Sequence, residues 1–185
     1  MTTAQDVLDF WFADGPETRR TAWFQKDDAF DAACARFRTA RDQARDGAFD
    51  AWTASPKGTL ALLILLDQLS RNLYRGSSEA FAADPKALAI ARLAVARGFD
   101  QALHPVERIF IYLPFEHAED LATQDESVQL FESMRAELGE LTIDYAYRHR
   151  DVIQRFGRFP HRNAALGRAN TEVETAYLAE PGAGF

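Results

Sequence analysis

The chain has 185 residues, with 21 Lys+Arg against 28 Asp+Glu and a formal net charge of −7. An acidic balance and a globular apolar share of 47% count against a nucleic-acid binder and against disorder. A single cysteine, Cys34, allows no internal disulfide and no Cys-based zinc site, which fits a reducing compartment. The N-terminal segment MTTAQDVLDFWF has no basic start leading to an apolar stretch, and no apolar run reaches membrane-spanning length, so a cytoplasmic protein with no membrane partner is expected. Fold class follows from 32 Ala and 18 Leu against 6 Val and 6 Ile. β-branched side chains lose rotamer freedom in a helix while Ala and Leu do not, so an all-α domain is predicted.

In chain order, residues 4–12 form an apolar segment stopped by Gly15-Pro16, with Trp23 and Phe24 as further packing anchors. Asp27 or Asp28 caps a helix whose stripe Phe30, Ala33, Phe37, Ala40, Ala44 keeps the 3-4 spacing up to Gly47. Leu60 to Leu66 is apolar on every side, the mark of a central buried helix, and continues into the polar run Asp67 to Gly76. Asp84-Pro85 reads as a cap with proline at the first helical position, and Gly98 closes that helix. Pro105 opens another, in which Pro114 removes a hydrogen-bond donor and bends the axis. Residues 119–138 and 142–156 are two more helices parted near Gly139, residues 157–163 interrupt the pattern, and Thr171 with Glu174 fits a capping box. No linker divides the chain, so a single helical domain is expected over 1–185, ordered over about 4–180 and frayed over 181–185.

Three polar groupings interrupt this apolar pattern. In Asp67-Gln68-x-x-Arg71-Asn72-x-x-Arg75 the spacing of four puts Asp67, Arg71 and Arg75 on one helix face. Such groups, following an all-apolar half helix, are paired with one another or reserved for a ligand. The second grouping is Glu116, His117, Glu119 and Asp120 with Gln124, where carboxylates beside an imidazole suit acid–base work or a hard cation; the plain alternative is a solvated acidic turn. It lacks the His-Glu-x-x-His spacing of a zinc helix, and no metal or other cofactor is expected. The third joins His149, on an otherwise apolar stripe, to Arg158, His161, Arg162 and Asn163. Residues 148–168 carry six Arg and one Asp, while residues 116–140 carry eight acids and one Arg. The basic segment either neutralises the acidic one or offers forked donors to a carboxylate or phosphate.

Read together, His117, His149, Glu116 and Asp120 are the candidate catalytic groups. Asp67, Arg71, Asn72, Arg75, Gln124, Arg158, His161, Arg162 and Asn163 are the candidate ligand-binding groups. The expectation is one convergent pocket for a small anionic molecule, with or without catalysis; a surface for a protein or peptide partner is the alternative.

These blocks also carry a family likeness. Val7 to Phe12, Asp67 to Gly76, Ala80 to Asp84, Tyr112 to Asp120 and Phe156 to Asn163 make the chain resemble the bacterial domain-of-unknown-function family 924 over about Asp6 to Tyr177. The resemblance implies a tetratricopeptide-like array of antiparallel helix pairs and supplies no reaction. Where the family pattern runs His-Ser-Glu-Asp, this chain has His117-Ala118-Glu119-Asp120, so no serine hydroxyl is essential at that point.

Overall fold

A computed structural model describes residues 1–184, with the backbone alone for Leu141. Helix accounts for 68% of the described residues, and no strand occurs among them. The α-helices in order are α1 (Ala4–Trp11), α2 (Asp28–Cys34), α3 (Arg38–Arg45), α4 (Pro56–Leu63), α5 (Leu69–Leu73), α6 (Asp84–Ala96), α7 (Pro105–Glu116), α8 (Leu121–Glu132), α9 (Arg135–Leu138), α10 (Glu140–Phe156) and α11 (Glu172–Leu178). Two compact units result: Met1–Arg75 with Glu79–Pro114, and Gly76–Ser78 with the chain from Phe115 onward.

The first unit is organised around α4. Leu60 to Leu66 are all fully buried, as an apolar run with no polar side requires. A π-helical turn, Ile64–Gln68, links α4 to α5, and Asp67, Gln68 and Ser70 are buried there with the leucines. α1 is fixed by a capping box, Thr3 and Asp6 satisfying each other's backbone donors. It delivers Trp11 and Phe12 to an aromatic cluster with Trp23 and Phe110, whose ring centroids lie 5.0–6.0 Å apart.

The structure departs from the sequence pattern at two points. The stripe from Phe30 to Ala44 is not one helix: a 3₁₀ turn at Ala35–Phe37 separates α2 from α3, and Cys34 is buried in place of Ala33, which is exposed. Asp84 does not cap α6. It is the first helical residue, and its carboxylate binds Arg71 through two contacts of 3.0 Å, a charge-assisted fork stronger than a cap to neutral N–H groups.

In the second unit α8 packs along α10. Asp120 accepts from the backbone N–H of Ala122 and Thr123 and so starts α8, while Gly157, at φ +69°, ends α10 in a left-handed turn open to glycine. Val152, Ile153 and Phe159 form a buried core flanked by Phe156 and Tyr177. α11 opens on the Thr171–Glu174 capping box that its sequence announces. In the tail, Gly184 donates to the Tyr177 hydroxyl at 3.4 Å; Phe185, which the fraying expectation also covers, lies outside the described residues. Asp120→Ala is expected to cost about 1 kcal/mol by removing a helix cap, read as a lower urea midpoint at unchanged slope.

Candidate functional site

The polar signature of the first unit is tied up internally. Asp67, 1% exposed, accepts from Gln68 at 2.6 Å and pairs with Arg71 at 3.0 Å, and Arg71 also forks onto Asp84. Asn72 donates to Asp31 at 2.7 Å, and Arg75 binds the same carboxylate at 3.0–3.2 Å. Spacing along the chain identified the Asp67–Arg71 pair but not Asp31 or Asp84, whose contacts span 13 to 44 residues. Arg71 and Arg75, expected to hold an anion, are thus matched by carboxylates within this unit. An open depression in the same unit is lined by Asp9, Phe10, Arg20, Asp27 and Phe30 among others, and by none of the expected site residues.

The second unit gathers its polar groups differently. α7 ends at Glu116, so Glu116 and His117 lie at the helix terminus, while α10 carries His149 on its buried side. Glu116 and His149 are 4% and 5% exposed, and a Glu116 carboxylate oxygen lies 3.3 Å from His149 Nδ1. The His117 and His149 rings are 6.2 Å apart. Glu116, His117 and His149 each present one potential ligand atom, and these three atoms lie within 4.8 Å of one another. The sequence had singled out all three as catalytic candidates, without the approach between α7 and α10.

The His149 environment sets its chemistry. Its Nδ1 lies 2.8 Å from the Tyr145 carbonyl, an acceptor only, which assigns the ring proton to Nδ1 and leaves Nε2 with a lone pair. Burial holds the imidazole well below the usual histidine range, and the charges of His117, Arg162 and His161 act in the same direction against the Tyr145 contact. Burial thus favours the neutral form of the ring that lies beside Glu116.

Phe159, fully buried, is the hub for the remaining groups. His149 meets it edge-on with centroids 5.6 Å apart, His161 lies 5.6 Å away on a tilted plane, and the Arg162 guanidinium stands over it at 4.4 Å. Glu119 secures this placement: it accepts from the Phe159 N–H at 2.8 Å and forks onto Arg168 at 2.6 and 2.8 Å. Arg168 and the backbone around Phe159 hold the Glu119 carboxyl below its ordinary range in spite of partial burial. The acidic turn and the basic loop thus meet through residues 119, 159 and 168. Neither Glu119 nor Arg168 was among the expected binding residues, although their opposite charge blocks were visible.

Other expected members have local tasks. Gln124, fully buried, donates to the Glu116 and Ala118 carbonyls at 2.6 and 2.8 Å, bracing the turn that carries His117. Asp120 caps α8. Asn163 links Asn170 and Arg168 at 2.8 Å each and closes its own loop. Arg158 forks onto Glu174 at 2.6 and 2.8 Å, and with the Thr171 N–H this pulls the Glu174 carboxyl down to about 2 from an ordinary 4.5. A carboxyl lowered on folding stabilises the fold above its unfolded pKa and loses that contribution as pH falls through the folded one. Glu174→Gln is accordingly expected to flatten the acid dependence of the melting temperature between about pH 4.5 and 2, while wild type loses stability there.

The family model described as "Bacterial protein of unknown function (DUF924)" matches residues 7–182. A solved structure, "Structure of Protein of Unknown Function ATU0120 from Agrobacterium tumefaciens", is similar at 44% identity and a TM-score of 0.85, over 95% of this chain and 96% of that one. No curated protein matches. Among the described residues no helix is long and apolar enough to cross a membrane.

Proposed function

This chain belongs to the bacterial DUF924 family, and from the geometry of its second unit we propose that it binds a small anion, a carboxylate or phosphate, beside Glu116, His117, His149, His161 and Arg162. The observation that carries this reading is the Arg162 guanidinium, 6% exposed and standing over Phe159, with His149 and His161 packed against the same ring. The neighbouring acids are committed elsewhere: Glu119 to Arg168, Asp120 to the α8 N-terminus and Glu174 to Arg158. Glu116 is the carboxylate beside the imidazoles, and Arg162 brings a fixed positive charge to the Phe159 ring that they share. A planar, permanently charged fork recognises carboxylate and phosphate oxygens in two directions at once. Imidazoles beside a bound anion also suit proton transfer, with Glu116 as the orienting carboxylate.

Thermal-shift measurements with inorganic phosphate, acetate and succinate test the proposal. An anion that binds the folded state raises the melting temperature with concentration. The rise is expected in wild type and in Arg75→Ala, whose guanidinium is spent on Asp31, and is expected to vanish in Arg162→Ala. A rise that survives in Arg162→Ala and is lost in Arg75→Ala would place the anion in the first unit and refute the reading.

A further inference from the structure

We propose that Glu116, His117 and His149 form a binding site for a divalent transition-metal ion of the zinc type. Two imidazoles and one carboxylate, drawn from the end of α7 and from α10, bring three ligand atoms within 4.8 Å of one another. Tetrahedral zinc with bonds of about 2.0–2.1 Å needs ligand atoms about 3.4 Å apart, so binding would draw the three side chains closer together. Two histidines with one carboxylate are also a donor combination that leaves a coordination position open for water or a guest oxygen.

Two further observations at the same place point to a ligand. The first is the orientation of His149: a metal-bound imidazole characteristically gives its other ring N–H to a backbone carbonyl or carboxylate, and Nδ1 here lies 2.8 Å from the Tyr145 carbonyl. With the ring proton on Nδ1, any bond from His149 to an ion is made through Nε2. The second is Gln124. It is fully buried, its amide nitrogen is anchored on the Glu116 and Ala118 carbonyls that flank His117, and its Oε1 has no hydrogen-bond partner among the described residues. Ser127, one helical turn along α8 and equally buried, is in the same position through its Oγ. Buried polar atoms without partners are rare in folded proteins, and a water or oxygen ligand on a nearby cation is one group that satisfies them.

The absence of a His-Glu-x-x-His spacing does not weigh against the site, because 32 residues separate His117 from His149 and the two meet only in the fold. Arg162 acts electrostatically on His149 and so opposes a bare cation, but it favours an anion completing the coordination shell. The inference therefore deepens the anion-binding reading and rests on it for the identity of the guest, though not for the metal itself.

Isothermal titration of chelator-treated full-length protein with Zn²⁺ and, separately, Co²⁺ provides the test. One equivalent is expected to bind, with the visible spectrum of Co²⁺ reporting low coordination number. His117→Ala and Glu116→Gln are expected to weaken binding by about 100-fold or more, while His104→Ala, a histidine of the first unit, leaves it unchanged. His117 is partly exposed, and circular dichroism on each variant separates a lost ligand from a lost fold; if either variant fails to fold, paramagnetic broadening of the His117 and His149 resonances by Co²⁺ in wild type replaces it. No metal binding by wild type, or binding unaffected by His117→Ala, overturns the inference. Phosphate stabilisation that persists in chelator without metal binding would sink the metal site and leave the anion site standing. Metal binding with no phosphate response would do the reverse.

Discussion

Arg41→Ala is expected to lower the unfolding free energy by about 3 kcal/mol or more, one of the largest single effects in this protein. Arg41 is 0% exposed on α3, and its guanidinium is used in three directions. Nε donates to Ser70 Oγ at 2.8 Å, Nη1 to Glu79 and Asp42 carboxylates at 3.1 Å each, and Nη2 to the Glu79 carbonyl. The Tyr74 ring lies 4.6 Å from the same group. Truncation removes a large buried side chain, leaving a cavity, and deprives a backbone carbonyl of its donor. Arg41→Lys keeps the charge and most of the volume but not the fork, so about 1–3 kcal/mol of loss is expected to remain. Urea unfolding of both variants measures this; equal stability of Arg41→Ala and wild type would mean that the network contributes nothing net.

Glu119→Ala is expected to have the largest combined effect on stability and binding. It breaks a bidentate contact to Arg168 and the hydrogen bond that Glu119 accepts from the Phe159 N–H, so about 1–3 kcal/mol is at stake after allowing for partial exposure. The consequence for function is larger than for stability. Without that tie, the loop carrying His161 and Arg162 is no longer held to the turn carrying Glu116 and His117. The anion response should fall with it. Arg168→Ala should reproduce most of the loss, and the double variant should add little, since the two residues share one interaction. Additive losses would show that Glu119 and Arg168 act separately. Because the Glu119 carboxyl is lowered on folding, this contribution is present above its ordinary pKa of 4.5 and fades as pH falls below it.

Much of the fold was legible because its signals are local. The all-apolar run Leu60 to Leu66, the Asp27 cap, the Gly98 and Gly157 stops and the Thr171–Glu174 capping box each depend on residues within one or two turns. Asp84 shows where such reasoning stops. Asp-Pro is a sound local reason to place a cap, but a guanidinium 13 residues earlier competes for the same carboxylate and wins by charge. The break at Ala35–Phe37 and the burial of Cys34 likewise come from packing rather than from helix spacing.

The site was legible residue by residue and not as an arrangement. His117, His149, Glu116, His161 and Arg162 all stood out in the sequence, yet the feature that joins the last two to His149 is Phe159, which reads in sequence as an ordinary core aromatic. Glu119 and Arg168, 49 residues apart, are invisible as a pair for the same reason. Sequence shows the arginines but not their partners: Arg71, Arg75 and Arg158 pair with Asp84, Asp31 and Glu174, pairings that spacing along the chain does not pick out.

Histidine NMR tests the central claim most directly, because the chain contains only four histidines, at positions 104, 117, 149 and 161. On titration with phosphate or succinate at constant pH, the imidazole resonances of His117, His149 and His161 are expected to shift together along one saturable curve while His104 stays in place. Coordinated movement of those three and stillness of the fourth would locate the guest at the Glu116–His149 cluster. Movement of His104 alone, or no saturable movement at His117, His149 and His161 with anions that raise the melting temperature, would contradict the assignment of the site.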